Sequence, residues 1–71
     1  MKIVFDARME AAERADWWRA LCDALPADEW IDAGAGDAGA QAWSDADIAV
    51  MANPTPGTLA HYTRLRLIQS L

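Results

Sequence analysis

The order of apolar and polar residues predicts short strands that alternate with helical segments. Lys2-Ile-Val-Phe5 is an apolar, partly β-branched run closed by Asp6, which predicts a first strand. The strongest helical signal runs from about Ala11 to Leu25, and Pro26 ends it. Apolar residues recur along it at i, i+3, i+4 and i+7, so one face of this helix is predicted to face a core. That face consists of Trp18, Leu21, Cys22 and Leu25.

Three further strands are predicted after this helix. Trp30-Ile31 indicates a weak strand, Asp47–Ala52 a stronger and continuously apolar one, and Arg66–Leu71 a last one. Thr58–Thr63 is predicted to form one or two helical turns, whereas Ala40–Ala46 is too short for a crossover helix. The predicted order is therefore β-α-β-β-short α-β, which favours an α/β fold with a parallel sheet and helices on its faces.

The predicted sheet is incomplete, because its last strand reaches Leu71 with no following helix to cover it. The chain is 54% hydrophobic and 24% charged, as in a globular protein, yet 71 residues bury only about 60% of the unfolded surface. One cysteine excludes an internal disulfide, and one histidine leaves no ligand set for structural zinc. We therefore expect residues 1–71 to be the amino-terminal part of a larger α/β protein.

The charge balance excludes several classes of partner. Six basic and eleven acidic residues give a net charge of −5, which disfavours binding to nucleic acid or to an anionic membrane. After Asp47 the chain carries only Arg64 and Arg66 as charged residues. The start of the chain does not resemble a signal peptide, and the apolar run Ile48–Ala52 is far too short to span a membrane. We expect a cytoplasmic, reducing location.

Three glycines form a motif that is typical of dinucleotide-binding folds. Gly34, Gly36 and Gly39 spell G-x-G-x-x-G after the second predicted strand. Such a site requires a helix that begins at the last glycine and an acid about twenty residues further on. No acid follows Asp47, and Asp37 would place a negative charge beside the phosphates. We therefore interpret this segment as a surface loop.

Four other residues have side chains that can take part in catalysis or metal binding, and each also has a structural interpretation. Asp45 and Asp47 resemble paired carboxylates, but a solvated turn and a cap at a strand entry explain them, with no third oxygen ligand nearby in sequence. His61 has no local nucleophile, so we expect it to be exposed or half-buried rather than a general base. Cys22 lies on the apolar face of the first helix, where we expect a buried and inert thiol.

Four tryptophans are many for this length, and without basic neighbours they do not form a stacking surface for nucleic acid. Trp18 is predicted to lie in the core, whereas Trp17 and Trp43 are candidates for a contact surface. The turn at 53–57, Asn-Pro-Thr-Pro-Gly, follows the strongest strand at its carboxyl end. Ligands bind at that edge of open α/β sheets, so this turn is the leading candidate for a pocket wall, although its prolines suit an ordinary rigid turn equally well.

Several segments stand in a characteristic order and spacing. They are Trp17-Trp18 with Leu21 and Leu25-Pro26, Ala46–Met51, Asn53-Pro54 with Pro56-Gly57 and Leu59-Ala60, and Leu65–Leu71. Together they resemble the start of the D-isomer-specific 2-hydroxyacid dehydrogenases, and in particular the glyoxylate/hydroxypyruvate reductase A group. The last segment is the most specific, because in that family it leads into a Gly-Ala-Gly-Val-Asp loop, and this chain stops just short of that loop.

The resemblance implies that residues 1–71 are the amino-terminal part of a flavodoxin-like substrate-binding domain, with a Rossmann cofactor domain beyond them. Members of the family are homodimers that reduce small 2-keto acids with NADH or NADPH. Hydride passes to the carbonyl carbon, a histidine oriented by a carboxylate protonates the oxygen, and an arginine holds the substrate carboxylate. In the family these groups and the cofactor fingerprint lie beyond the position of Leu71. The resemblance therefore implies an inactive fragment, without catalytic, cofactor-binding or metal-binding residues.

Ala52, Asn53 and Pro54 match the segment that forms the wall of the substrate pocket in this family. Relatives place a bulky aromatic residue where this chain has Ala52. The resemblance therefore implies a pocket that is either wider or filled by another side chain, and both possibilities argue against a preference for glyoxylate.

Two other functions remain open. The first is a free-standing, acidic α/β interaction module that buries its exposed strand and some tryptophans against a partner. The second is a small flavin- or nucleotide-binding protein. The absence of glycine and hydroxyl residues in Asp6-Ala-Arg-Met-Glu10, where a phosphate loop would follow the first strand, argues against it.

Overall fold

The computed structural model describes residues 1–33, 38–53 and 57–71. Within these ranges four parallel strands form one sheet in the order β2-β1-β3-β4. The prediction of an α/β fold built on a parallel sheet is confirmed. The elements, in chain order, are β1 (Lys2–Ala7), α1 (Ala11–Ala24), β2 (Glu29–Asp32), α2 (Ala38–Asp45), β3 (Ile48–Ala52), a 3-10 helix (Thr58–His61) and β4 (Leu67–Ser70).

The helix α2 corrects one prediction. Ala40–Ala46 was expected to be too short for a crossover helix, yet α2 spans eight residues and connects β2 to β3. Eight helical residues extend about 12 Å, which covers most of the roughly 16 Å of the five-residue strand β3. Ala42 and Ala46 are almost completely buried, so small side chains let this short helix lie close to the sheet.

The same helix changes the interpretation of the glycine-rich segment. Gly39 lies inside α2 and not in a surface loop, so a helix does begin within the motif. Residues 34–37 lie outside the described part of the chain. The second requirement of a dinucleotide site is still unmet, because no acidic residue follows Asp47 in the sequence.

The central strand β1 is buried on both faces, which explains its continuous apolar run. Val4 and Phe5 are completely buried and lie on opposite faces of the sheet, since side chains alternate along a strand. The face of Phe5 packs against α1, and the face of Val4 packs against α2 and the segment after the 3-10 helix. The first core contains Ile3, Phe5, Ala7 and Val50, and the second contains Val4, Ala42, Ala46, Ala49 and Met51.

Helix α1 has close to the predicted extent, but only part of its predicted core face packs against the sheet. Trp18 and Leu21 contact the core, whereas Leu25 is 47% exposed. The Glu10 side chain accepts a hydrogen bond from the Ala12 N–H (3.2 Å) and caps its amino end. The Trp18 ring lies 6.0 Å from that of Phe5 and 6.2 Å from that of Trp30, so Trp18 is a core residue as predicted. Trp17 lies outside this core with 39% of its surface exposed.

The edge strand β4 carries apolar residues that the described part of the chain leaves uncovered. Leu67 is 55% exposed and Ile68 is 47% exposed. The two residues pair with Ile48 and Ala49 of β3, so they lie on opposite faces of the sheet. Neither helix within the described ranges combines the length and the apolar character needed to cross a bilayer.

Candidate functional site

A cleft opens at the carboxyl ends of β1 and β3. From β1 the chain proceeds to β2 on one side, and from β3 it proceeds to β4 on the other side. Loops that leave neighbouring strands in opposite directions create a crevice, and open α/β proteins bind their ligands there. The cleft has a volume of about 390 Å³, which suits a small molecule. Its lining residues are Arg8, Met9, Glu10, Glu13, Trp17, Ala52, Asn53 and Leu71.

Arg8 and Asn53 connect the two strand ends at the base of this cleft. The backbone N–H of Arg8 donates to the Ala52 carbonyl (2.9 Å), and Arg8 Nε donates to the Asn53 carbonyl (2.7 Å). Asn53 has a φ of 48°, a left-handed conformation that asparagine adopts more readily than most residues. The two terminal guanidinium nitrogens of Arg8 have no protein acceptor among the described residues, so they are available to a ligand.

The wall of the cleft that α1 provides carries two carboxylates. Glu10 is engaged as the helix cap, whereas Glu13 forms no hydrogen bond or ion pair within the described part of the chain. The exposed indole of Trp17 lies one helical turn beyond Glu13. Across the cleft, Leu71 is connected to β3 by a hydrogen bond from its backbone N–H to the Met51 carbonyl (2.9 Å). The cleft therefore combines one cation, free carboxylate oxygens and an apolar surface.

An ion pair beneath the cleft orients α1 on the sheet. Arg14 donates from Nη2 to Asp32 Oδ1 (2.7 Å) and from Nη1 to Asp32 Oδ2 (3.2 Å). Its Nε donates to the Ala7 carbonyl (3.0 Å), and its guanidinium carbon lies 4.8 Å from the centre of the Phe5 ring. The bidentate pair thus joins the first turn of α1 to the carboxyl ends of β1 and β2.

Sequence reasoning missed Arg14, although a signal was present. Arg14 precedes Trp18 by four residues and Leu21 by seven, so it belongs to the helix face that is otherwise apolar. A charged residue in such a face usually has a partner, and here the partner is Asp32. Arg8, Glu13 and Trp17 were missed as cleft residues because no local pattern marks them.

On the opposite face of the sheet, Tyr62 and Asp6 form a second polar contact. The Tyr62 hydroxyl donates to Asp6 Oδ2 (3.0 Å). Burial, together with the hydrogen bond to Asp6 and the charge of this carboxylate, raises the pKa of Tyr62 well above its ordinary value. The contact attaches the chain after the 3-10 helix to β1 and stabilises the fold near the cleft.

Asp45 and Asp47 lie at the amino end of the sheet, opposite the cleft. Asp47 Oδ2 accepts a hydrogen bond from the Lys2 backbone N–H (3.0 Å), and Arg64 Nη2 lies 3.4 Å from Asp47 Oδ1. The hydrogen bond from Lys2, with help from the charge of Arg64, holds the pKa of Asp47 below its ordinary value. Asp45 lies 3.7 Å from Lys2 Nζ. Asp47 thus lies at a strand entry and caps the neighbouring strand β1, as predicted, whereas Asp45 is the last residue of α2 and not part of a solvated turn.

His61 and Cys22, the remaining candidates, lie away from the cleft lining and contact other parts of the chain. His61 is exposed and stacks on Trp43, with 4.3 Å between the ring centres and 21° between the ring planes. Trp43 is thereby half-buried. Cys22 is half-buried and not fully buried, and burial together with the charge of Asp23 raises the pKa of its thiol. The described residues contain no group of three or more metal-ligating side chains.

The predicted pocket wall divides into a described and an undescribed part. Ala52 and Asn53 lie at the cleft, whereas Pro54 lies outside the described residues. No protein family, curated protein or solved structure matches the chain. The family resemblance therefore stays a prediction that is based on the sequence motifs alone.

Proposed function

We propose that residues 1–71 are the amino-terminal part of the substrate-binding domain of an NADPH- or NADH-dependent reductase of small 2-keto acids. One observation carries the proposal: the cleft lies where the strand order reverses, and Ala52 and Asn53 form part of its lining. These are two of the three residues that the family resemblance assigns to the pocket wall. The strand order β2-β1-β3-β4 also agrees with the first four strands of a flavodoxin-like sheet.

The chemistry of the cleft agrees with a 2-keto acid as ligand. Arg8 is the one basic residue of the described lining, and its positive charge at the edge of the cleft favours an anionic substrate, whose carboxylate the family resemblance assigns to an arginine beyond Leu71. Ala52 contributes only a methyl group, so the cleft has room for a substituent larger than the hydrogen of glyoxylate. In this proposal the chain binds and orients the substrate.

The described residues do not fit a dinucleotide cofactor. The turn between β1 and α1 contains no glycine that would let a pyrophosphate approach the backbone. Glu10 and Glu13 also place negative charge at the amino end of α1, where phosphates would have to bind. The proposal therefore assigns the cofactor and the proton-transfer residues to polypeptide outside residues 1–71, and it assigns no catalytic residue here.

The test is a reductase assay on the product of the complete gene that encodes these residues. We expect NADPH or NADH to be oxidised with hydroxypyruvate, and less efficiently with glyoxylate. Ala52→Phe should raise KM for hydroxypyruvate roughly tenfold, equivalent to about 1.4 kcal/mol of binding energy, because the ring occupies the cleft. Ala60→Phe is the matched control, since Ala60 is exposed on the 3-10 helix. Oxidation of neither cofactor with either substrate would refute the proposal.

The exposed strand β4 favours a second candidate function, an acidic interaction module. Leu67 and Ile68 offer apolar surface on both faces of an edge strand that lacks a second neighbour in the described residues. This function predicts that the 71-residue chain purifies as an oligomer or complex with a cooperative thermal transition. A monomeric chain without any thermal transition would exclude it.

A further inference from the structure

We infer that Arg8 is a positioning residue: its side chain holds the pocket wall formed by Ala52 and Asn53 and thereby sets which 2-keto acids fit the cleft. The inference rests on the proposed function and specifies how its substrates are selected. It depends on the hydrogen bonds from Arg8 to the end of β3, on the backbone conformation of Asn53 and on the small side chain of Ala52.

Arg8 joins the end of β1 to the end of β3 by two consecutive hydrogen bonds. The paired residues of the two strands end at Ala7 and Ala52, and Arg8 follows directly. Its backbone N–H donates to the Ala52 carbonyl (2.9 Å), and its Nε donates to the next carbonyl, that of Asn53 (2.7 Å). The side chain of Arg8 therefore extends the hydrogen bonding between the strands by one residue beyond the backbone pairs.

The bond from Arg8 Nε holds Asn53 in an unusual backbone conformation. Asn53 has a φ of 48°, in the left-handed region that is less favourable for residues with a side chain than the extended region. Asn53 is exposed, and this bond to its carbonyl is the hydrogen bond that attaches it to the described part of the chain. Loss of the bond therefore releases Asn53, and the pocket wall beside it shifts.

The wall has no flexible side chain that compensates for such a shift. Ala52 is half-buried, packs against the core on the α1 face of the sheet and contributes only a methyl group to the cleft. The backbone therefore sets the width of the cleft at this point. In the proposed function the hydroxymethyl group of hydroxypyruvate lies beside this wall, whereas glyoxylate has only a hydrogen there, so a displaced wall affects hydroxypyruvate more strongly.

Three substitutions of Arg8 separate its hydrogen bond from its charge. Arg8→Gln removes the charge but places an amide nitrogen as many bonds from the backbone as Nε, so the donor to Asn53 is kept. Arg8→Lys keeps the charge but has a methylene group in this position, and Arg8→Met removes both charge and donor. Arg19→Met is the control for the loss of an arginine, because the Arg19 side chain is 72% exposed on α1 and does not line the cleft.

The experiment measures kcat/KM for hydroxypyruvate and glyoxylate with proteins made from the complete gene. Both substrates carry one negative charge, so loss of the Arg8 charge raises KM for both and cancels in the ratio of the two kcat/KM values. We expect Arg8→Lys and Arg8→Met to lower the ratio of hydroxypyruvate to glyoxylate about fivefold, the net effect of one hydrogen bond. Arg8→Gln and Arg19→Met should leave this ratio within a factor of about 1.5 of the wild type.

Hydrogen exchange of the amide of residue 8, measured by nuclear magnetic resonance, is a second readout that does not depend on turnover. This amide donates to the Ala52 carbonyl, so its protection factor reports how firmly the ends of β1 and β3 are joined. We expect the protection factor to fall about fivefold in Arg8→Lys and Arg8→Met, and to stay within a factor of about two in Arg8→Gln.

The outcomes separate the inference from the proposed function. If the wild type reduces hydroxypyruvate and all three Arg8 variants keep its substrate ratio, the reductase function stands and the inference is wrong. If Arg8→Gln lowers the ratio as much as Arg8→Met, or Arg8→Lys keeps it, the charge of Arg8 sets the selectivity and the inference is overturned. If no substrate is reduced, the reductase function fails; loss of protection in Arg8→Lys and Arg8→Met alone would then support the positioning of the wall, and equal protection in all variants would refute it.

Discussion

The ion pair between Arg14 and Asp32 offers a sharp test of how this small sheet is held together. Arg14→Met removes the guanidinium group but keeps an unbranched apolar stem against the Phe5 ring. Asp32→Asn keeps the volume of the side chain and removes its charge. The two single variants and the double variant form a cycle that isolates the energy of the pair.

The expected magnitude follows from the burial and geometry of the pair. The Arg14 side chain is 20% exposed and that of Asp32 is 30% exposed, so the pair is neither a surface pair nor fully buried. Arg14→Met also leaves the Ala7 carbonyl without the hydrogen bond from Nε. We expect this variant to lose about 2–3 kcal/mol, with a coupling energy of about 1–2 kcal/mol between the two residues. This is a large fraction of the roughly 4–11 kcal/mol that stabilises a domain of this length.

The assay is urea unfolding of the product of the complete gene, followed by tryptophan fluorescence. Trp18 and Trp30 lie in the core that α1 covers, so their emission reports the separation of α1 from the sheet. The control is the same cycle on Asp16 and Arg19. These two residues form an ion pair of 3.5 Å within α1, but their side chains are 77% and 72% exposed.

We expect the control cycle to give less than about 0.5 kcal/mol, because exposed pairs within a helix contribute little. A coupling energy for Arg14 and Asp32 that is no larger than this control value would refute the reasoning. Burial and bidentate geometry would then have no measurable effect in this fold.

Three further predictions concern the carboxyl, phenol and alanine groups that organise the sheet. The lowered pKa of Asp47 stabilises the fold above pH 3.8, and this contribution is lost as the pH falls through the folded-state pKa. The melting temperature of Asp47→Asn should therefore fall less steeply than that of the wild type between pH 6 and pH 2. The raised pKa of Tyr62 stabilises the fold fully below pH 10.0, and this stabilisation is lost as the pH rises from there through the higher pKa of the folded state. The melting temperature of Tyr62→Phe should therefore fall less steeply above pH 10 than that of the wild type. Tyr62 is the single tyrosine of residues 1–71, and its tyrosinate absorbance should appear at higher pH in the folded than in the urea-unfolded protein. Ala42→Leu should lower the free energy of unfolding in urea by about 1–3 kcal/mol, because Ala42 is completely buried between α2 and the sheet. The control Ala20→Leu, on the exposed face of α1, should change the free energy of unfolding by less than about 0.5 kcal/mol.

Local patterns were sufficient to predict most of the elements. The apolar run of β1, the 3.6-residue period of α1 and the continuous apolar run of β3 each lie within one stretch of sequence, and all three elements form where they were predicted. Because strands alternate with helical segments, the chain order also predicted the parallel sheet. Trp18 belongs to this predictable part, since its place in the helical period assigns it to the core.

The length of a crossover helix and the composition of the cleft required the tertiary structure. Whether eight residues suffice for α2 depends on how closely Ala42 and Ala46 approach the sheet, which no local pattern reveals. The pairs that secure the sheet join residues far apart in sequence: Lys2 and Asp47 have a sequence separation of 45, and Asp6 and Tyr62 one of 56.

The candidate site shows the same division. Its Asn53 was predicted because it ends a recognisable strand, whereas Arg8, Glu13 and Trp17 become neighbours of Asn53 only when β1, α1 and β3 pack together. The spacing of apolar residues within one segment predicts which face of a helix or strand is buried, so this feature can be predicted from local sequence. The partners of a charged side chain depend on which elements are adjacent in the fold. These contacts between distant segments form only when the sheet assembles, so local sequence does not predict them.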